Sequence, residues 1–430
     1  MSRIFKAAAV GVLLLLLGTG PVWARSALGP QIEPALEAAK EVPAERLPLD
    51  LPPLVLAVPV LDPGLPKNPE VWEKRGIWPE LRRAESVRSA HLIADAIRSR
   101  KLFDAVVVAP DTTTSADLYL LGQITVSNGE DLRTKLELLD ATGKAWIPKK
   151  LFKHRVPEGW HENNAHRNVD PFDDLYEKIA AAVEKRLIRE AKRHADIVKR
   201  NQSRIAKGQS PKLSDVERVA LTKNLVLARY FAPDIYGDAL KESNGRLRLR
   251  YLPAMDTEEW TRIQLVQARD RDFGQKLSQG YAHFAQQMQG SYALWQRDSF
   301  PFAREQRLLG ERAAAQAVFG VLAAAATVAA AADGDVGTLP TAAAGVASAA
   351  LLYSSFRTNQ KRKAEVAELN ELGRSLQSEL APASVELRER TITLKGTATE
   401  QFTQWRGLLR ELYTNDSEDL AAVTVVGAGR

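Results

Sequence analysis

Imidazole and carboxylate side chains are concentrated between residues 154 and 174 of this chain. They are His154, Glu158, His161, Glu162, His166, Asp170, Asp173 and Asp174. Because these residue types bind first-row metal ions, one hypothesis is a metal-dependent enzyme that uses this loop. The alternative is a polar loop that leads into a helix, since Asp170 precedes Pro171 and such a pair is typical of a helix entry. We favour the second explanation and assign no metal ligand and no catalytic residue.

The rest of the sequence carries no catalytic or cofactor motif. HExxH, GxSxG, GxxxxGK[ST] and the dinucleotide fingerprint are all missing. The 430 residues include no cysteine, which excludes thiol nucleophiles, thiolate ligands and disulfides. The net charge of +6 comes from basic residues interleaved with acidic ones, a pattern that indicates solvated faces rather than a nucleic-acid surface. We therefore expect a globular, non-enzymatic protein without cofactors and without a nucleic-acid partner.

Residues 52–200 have the pattern of one α/β domain. The apolar run LVLAVPVLD predicts a buried strand, and a helix with apolar residues at helical spacing follows it. AVVVAP predicts a second strand, and three more are joined by SNGED and DATGK, which are hairpin turn signals. A long helix that begins near Pro171 completes the domain.

The order of these elements resembles a known family. LAVPVL, a helix that ends in LFDAVVVAP, then ADLYLLGQIT and LRTKLELLDATGKAW are similar to the envelope α/β domain shared by curli-secretion lipoproteins, the TolB amino-terminal domain and penicillin-binding-protein activators. The resemblance implies a non-enzymatic scaffold or adaptor. This chain departs from the family because it has no lipobox cysteine to carry a lipid anchor.

The first 51 residues predict export. A basic start, the apolar stretch AAAVGVLLLLLGTG and the small residues of VWA are typical of a cleaved signal over residues 1–24. Residues 25–51 are rich in Pro, Ala and Glu and predict an extended linker. We expect the mature chain in the periplasm or in an envelope membrane of a Gram-negative bacterium.

Residues 210–312 predict helices interrupted by a short strand. Ser214 and Glu217 form a capping-box pattern, and a heptad-like aromatic stripe runs along a helix that begins near Thr257. Between them an Asn-Gly turn precedes arginines that alternate with leucines from Arg246 to Tyr251. The alternation predicts a half-buried strand with a basic outer face. Such a face either protects an exposed edge or binds a partner carboxylate or an anionic lipid, and we favour edge protection.

Residues 313–356 contain two uncharged, Ala-rich runs around one acidic turn. They predict the tip of an antiparallel helical hairpin, and each run is long enough to cross a bilayer core. The tip either inserts as a transmembrane hairpin, or is a packed soluble hairpin with oligomer contacts, or enters the outer membrane after assembly. Insertion is marginal, because the five strongly apolar residues of the first run contribute only about −2 kcal/mol together. The proposed membrane-tip residues are Phe319, Gly320, Leu322, Gly345, Leu351 and Leu352.

The last part of the chain predicts a returning helix over residues 357–380 and a small β/α module over residues 381–430. The fold expected from the sequence is therefore an α+β multidomain protein: a sandwich-like α/β domain, a long helical hairpin and a C-terminal module. The expected function is an exported, non-enzymatic scaffold or adaptor that binds envelope proteins of unknown identity, with a membrane and a homo-oligomer as further partners left open. The alternative function is a metal-dependent periplasmic enzyme that uses residues 154–174.

Overall fold

The structure of the chain is a computed structural model. It describes residues 50–74, 77–328, 383–387, 390–415 and 423–426, together with Ala367 and Glu371. These residues form eight helices and three sheets and confirm the mixed α and β class expected from the sequence. The described residues from Asp50 onward belong to one compact unit, and the domain division expected near residue 200 stays a prediction.

The largest sheet is mixed and has five strands in the order β2-β1-β3-β4-β5. The first three strands are parallel, and the last three form antiparallel hairpins at the two predicted turns. Their order along the chain agrees with the five strands predicted from the sequence. The strands are β1 (Val55–Pro59), β2 (Ala105–Ala109), β3 (Leu118–Ser127), β4 (Asp131–Asp140) and β5 (Ala145–Arg155).

Two long helices cover one face of this sheet. They are α2 (Pro79–Arg98) and α3 (Asp173–Ala206), and the short α1 (Glu70–Lys74) precedes them. Alternate residues of the strands, such as Leu56 and Val58, point into the core beneath these helices because side chains alternate along a strand. The opposite face carries smaller side chains, including Ala57 and Ala109.

The edges of the five-stranded sheet are protected by side chains. At the β2 edge, Arg98 donates a hydrogen bond to the Val106 carbonyl (3.0 Å), and the Val108 amide donates one to Ser278 Oγ (3.0 Å). At the β5 edge, Pro148 has no amide hydrogen to offer, and the exposed Lys149 and Lys150 follow it.

The middle of the chain is helical, apart from one β-hairpin. The hairpin turns at Asn244 and Gly245, both with positive φ, as the Asn-Gly signal predicted. The arginines of its second strand are exposed and the leucines half-buried, in agreement with the predicted alternation. The elements are α4 (Asp215–Phe231), α5 (Pro233–Tyr236), β6 (Leu240–Ser243), β7 (Arg246–Leu249), α6 (Glu258–Gln287) and α7 (Gln289–Val328).

The predicted start of α4 and the predicted aromatic stripe are both present. Ser214 Oγ accepts a hydrogen bond from the Glu217 amide, and the Glu217 carboxylate accepts one from the Ser214 amide. The stripe residues on α6 and α7, from Phe273 to Trp295, are buried. Several of them join the core of the five-stranded sheet, so the helical region and the α/β region share apolar packing.

The C-terminal segment has the predicted order of strand, strand, helix and strand. Its antiparallel sheet has the order β10-β8-β9. Its helix packs on α6, where Trp405 stacks on Phe273 with ring centroids 4.9 Å apart. The segment therefore shares a core with the preceding helices. The elements are β8 (Ala383–Leu387), β9 (Arg390–Leu394), α8 (Ala398–Asn415) and β10 (Thr424–Val426).

The expectation of a transmembrane helix is wrong for the part of the chain that the structure describes. No helix there is both long enough and apolar enough to cross a membrane. The first Ala-rich run continues α7 as far as Val328 and includes Phe319, Gly320 and Leu322. Alanine adds little to insertion and the run has few large apolar residues, which accounts for the result.

The remaining predicted segments lie outside the described residues. These are the acidic turn and second Ala-rich run with Gly345, Leu351 and Leu352, nearly all of the returning helix, and the signal and linker over residues 1–49. No finding supports the predicted export signal or the periplasmic location.

Candidate functional site

The side chains of the His/Asp loop point to different parts of the molecule. His154 on β5 lies 3.8 Å from Asp174 of α3, whereas the His161 ring packs against Phe300 of α7 at 5.1 Å between centroids. His166 lies on a short 3₁₀ helix (Asn164–His166), and its ring stacks on Trp160.

The loop carboxylates have structural partners. Asp170 pairs with Arg88 of α2 and accepts a hydrogen bond from the Phe172 amide at 2.7 Å, which fixes the entry to α3. Glu158 pairs with Arg304 of α7. No three His, Asp or Glu residues of the described chain, which includes all of residues 154–174, are arranged to hold a metal ion. The metal-dependent hypothesis therefore lacks the convergence it requires, because these side chains connect the loop to α2, α3 and α7.

Two loop histidines predict a pH dependence of stability. Burial lowers the pKa of His154, although Asp174 opposes the effect, and burial also lowers the pKa of His161. Near the ordinary histidine pKa of about 6.5 the unfolded chain binds more protons than the folded chain does. The free energy of unfolding should therefore fall as the pH is lowered from about 7 to about 5. A hydrogen bond from Lys144 lowers the pKa of Asp215. The stability that this ionised carboxylate contributes is lost only below about pH 4, outside the window of the histidines.

Urea unfolding at a series of pH values tests this expectation. The double variant His154→Phe/His161→Leu should have a flatter dependence between about pH 7 and pH 5 than the unmodified chain. An unchanged slope in the double variant would show that other groups cause the loss of stability.

A buried hydroxyl–imidazole pair that sequence inspection missed lies between α3 and α4. Ser214 Oγ and His194 Nδ1 are 2.8 Å apart. A serine beside a histidine can act as a nucleophile, but Ser214 is almost fully buried and its oxygen already caps α4. Both residues line a small cavity of about 190 Å³, but the serine oxygen is held as the helix cap, so the pair serves to connect the two helices.

An open cleft lies on the sheet face opposite α2 and α3. Its volume is about 1110 Å³. Four parts of the chain form its walls: the start of β3 with the loop before it, the β4–β5 turn, α4 with the β6–β7 hairpin, and α8. The side chains that give the cleft its character are Tyr119, Leu121, Leu139, Lys223, Val226, Arg229, Tyr230, Arg246, Leu247, Phe402, Arg406 and Arg410.

A contact between two turns fixes one end of the cleft. The Leu247 amide donates a hydrogen bond to the Thr142 carbonyl at 2.9 Å. Gly143 has a φ of +83°, and a Cβ atom there would lie 2.8 Å from the Gly245 carbonyl oxygen. Only glycine allows this approach of the two backbones, so the β4–β5 turn holds the β6–β7 hairpin in place.

Two cations of the cleft form ion pairs with buried aspartates. Lys223 of α4 pairs with Asp117 at 2.9 Å, and Arg406 of α8 pairs with Asp270 of α6 at 2.7 Å. Burial raises the pKa of both Asp117 and Asp270, and the paired cations oppose that rise. These pairs attach α4 to the sheet and α8 to α6, and thereby assemble the cleft.

The floor of the cleft combines apolar and aromatic groups. Tyr119 and Leu139 are a cross-strand pair, and Leu121 follows on the same face of β3. The Tyr119 hydroxyl donates to the Thr114 carbonyl and accepts from the Ala116 amide, and burial raises the pKa of Tyr119 to about 12. The phenol is therefore a fixed neutral group near pH 7.

Three arginines at the rim of the cleft have no carboxylate partner among the described residues. They are Arg229 at the end of α4, Arg246 at the start of β7, and Arg410 on α8. The Arg410 guanidinium lies 5.4 Å from the centre of the Tyr230 ring, and that of Arg406 lies 6.0 Å from the same ring. The rim is thus cationic and partly ordered by cation–π contact.

Sequence reasoning found only one side of this cleft. The alternation around Arg246 was recognised, and the exposed arginines fit both edge protection and the binding of a partner carboxylate, but the pattern gave no sign of a cleft beside it. Tyr230 and Arg410 gave no signal, because each belongs to an ordinary amphipathic helix. The pairing of their helices across the cleft depends on contacts between residues far apart in the sequence.

Comparisons of the chain with protein-family models, curated proteins and solved structures give no match. The resemblance to the envelope α/β domain therefore stays a prediction.

Proposed function

We propose that this protein is a non-enzymatic adaptor that binds a segment of a partner protein in the cleft between the five-stranded sheet, α4 and α8. The observation that carries the proposal is the cleft itself, with its apolar floor and cationic rim. Its location in the cell stays a prediction.

The size of the cleft supports a polypeptide ligand. Sites for small molecules usually have volumes of about 300 to 1,000 Å³ and enclose most of the ligand. This cleft, at about 1110 Å³, is at the upper limit of that range, is open to solvent, and is lined by side chains from four separate parts of the chain. A segment of polypeptide would cover more of such a surface than a compact metabolite would.

The chemistry of the lining supports binding rather than catalysis. Arginine stays protonated in proteins, so it positions anions but does not exchange protons near neutral pH. The carboxylate of Asp140 accepts hydrogen bonds from its own turn and from the Trp146 indole at 2.8 Å. Its bonds hold the wall of the cleft, so that, apart from Glu242, the charged and apolar side chains left to contact a ligand are the arginines and the apolar groups.

Site-directed photocrosslinking in intact cells tests this proposal. A photoreactive amino acid at Val226, which is 36% exposed in the cleft wall, should form an adduct with a discrete partner protein. The control position is Val198, equally exposed at 36% on α3 and not part of the cleft. Mass spectrometry of the adduct should locate one contiguous segment of the partner. Equal labelling at both positions, or none at Val226, would contradict the proposal.

A further inference from the structure

We infer that the segment bound in the cleft is acidic and apolar, with carboxylates on Arg229, Arg246 and Arg410 and apolar side chains on the floor between them. This inference rests on the proposed function and adds the chemical class of the partner segment.

The charges of the cleft favour an anionic ligand. Of the five cations in its lining, Lys223 and Arg406 are neutralised by buried aspartates. Beside the other three, at the rim, the described lining contains two carboxylates, Glu242 and the turn-bound Asp140, so cations remain in excess. The rim therefore has an excess of positive charge that a partner must neutralise for tight binding.

The rim arginines are suited to carboxylates. A guanidinium presents a planar fork of donors that matches a carboxylate in two parallel hydrogen bonds. Contact with the Tyr230 ring restricts the Arg410 side chain before a ligand arrives, which reduces the entropy lost on binding. Arg229 is half-buried at the end of α4.

The apolar surface of the cleft favours a peptide ligand over an isolated anion. In the wall, Val226 and Tyr230 are 36% and 42% exposed, and the apolar lining of the cleft also includes the half-buried Leu121, Leu139 and Leu247. A phosphate or sulfate ion would neutralise the arginines but leave this apolar surface in water. Alternating acidic and apolar side chains would satisfy both parts of the cleft at once.

A binding titration with defined peptides tests the inference. The full-length protein is titrated into a short fluorescein-labelled peptide in which glutamate and leucine alternate, and anisotropy is recorded. A second peptide has glutamine in place of each glutamate, and inorganic phosphate serves as a competitor. We expect the Glu/Leu peptide to bind on the order of 10-fold more tightly than the Gln/Leu peptide, with affinity that falls as salt is raised.

Arginine variants locate the effect. Partly exposed ion pairs contribute about two- to five-fold each, so the triple variant Arg229→Gln/Arg246→Gln/Arg410→Gln should weaken Glu/Leu binding on the order of 10- to 100-fold. The matched control is Arg248→Gln, which removes an exposed arginine from the same strand as Arg246 but outside the lining. The control should bind as the unmodified protein does, and thermal melts should show that every variant is folded.

The outcomes separate this inference from the proposed function. Equal affinity for both peptides, or a triple variant that binds normally, would overturn the acidic selectivity while leaving the cleft as an apolar docking site. Phosphate competition as strong as that of unlabelled Glu/Leu peptide would assign the rim to a free anion and also overturn it. If neither peptide binds and no adduct forms at Val226, the proposed function itself is rejected.

Discussion

Replacing Arg88 with methionine is expected to lower the free energy of unfolding by about 3 to 5 kcal/mol, because it leaves a buried carboxylate without its cation. Arg88 and Asp170 are 4% and 8% exposed and pair between α2 and the loop before α3. The guanidinium also lies 4.2 Å from the centre of the Tyr292 ring of α7. Burial lowers the pKa of the Arg88 guanidinium, but Asp170, Tyr176 and Tyr292 together raise it by more.

Chemical denaturation of the full chain measures this change. The control is Arg83→Met on the same helix, whose pair with Glu80 is 27% and 22% exposed and should contribute less than about 1 kcal/mol. The double variant Arg88→Met/Asp170→Leu should recover part of the loss, since no charge is then left unpaired. A loss as small as that of the control would show that water reaches the pair.

Replacing Trp405 with alanine should also remove about 3 to 5 kcal/mol, because it deletes a completely buried aromatic side chain. The indole stacks on Phe273 with an angle of 17° between the rings, and this contact attaches α8 to α6. Since α8 carries Arg406 and Arg410, the same variant should weaken binding of the Glu/Leu peptide.

The shape of the unfolding curve decides between one unit and two. If the C-terminal segment shares a core with α6, the Trp405→Ala variant should unfold in one transition shifted to lower denaturant. Trp160→Ala is the control, because Trp160 is only half-buried and stacks on His166 at the surface. A separate early transition confined to the C-terminal segment would show that residues 381–430 form an independent module, as the sequence suggested.

Local signals in the sequence predicted most of the elements. The strands around Leu56 and Val107 are short apolar runs, and the turns at Gly129, Gly143 and Gly245 have the positive φ that their glycines predict. The cap of α4 needed only Ser214 and the glutamate three residues later. Each of these features depends on neighbours within a few positions, which is the range over which periodicity and turn chemistry are informative.

The candidate site depends on longer distances. Asp117 meets Lys223, and Asp270 meets Arg406, across 106 and 136 residues respectively. Composition identified the loop around His161 as a candidate metal or catalytic site. Composition does not tell in which direction each side chain of the loop points. In the folded chain those side chains point to different elements, whereas Arg229, Arg246 and Arg410 come together at the rim of the cleft.

The protected edges of the five-stranded sheet limit how copies of this chain can associate. Arg98 and Ser278 occupy main-chain groups of β2 that would otherwise pair with another strand, and Pro148 interrupts the far edge. Contacts between copies through this sheet must then use side chains instead of a shared hydrogen-bond ladder. A shared ladder is what templates fibril growth, so the two edges of this sheet are poor starting points for it.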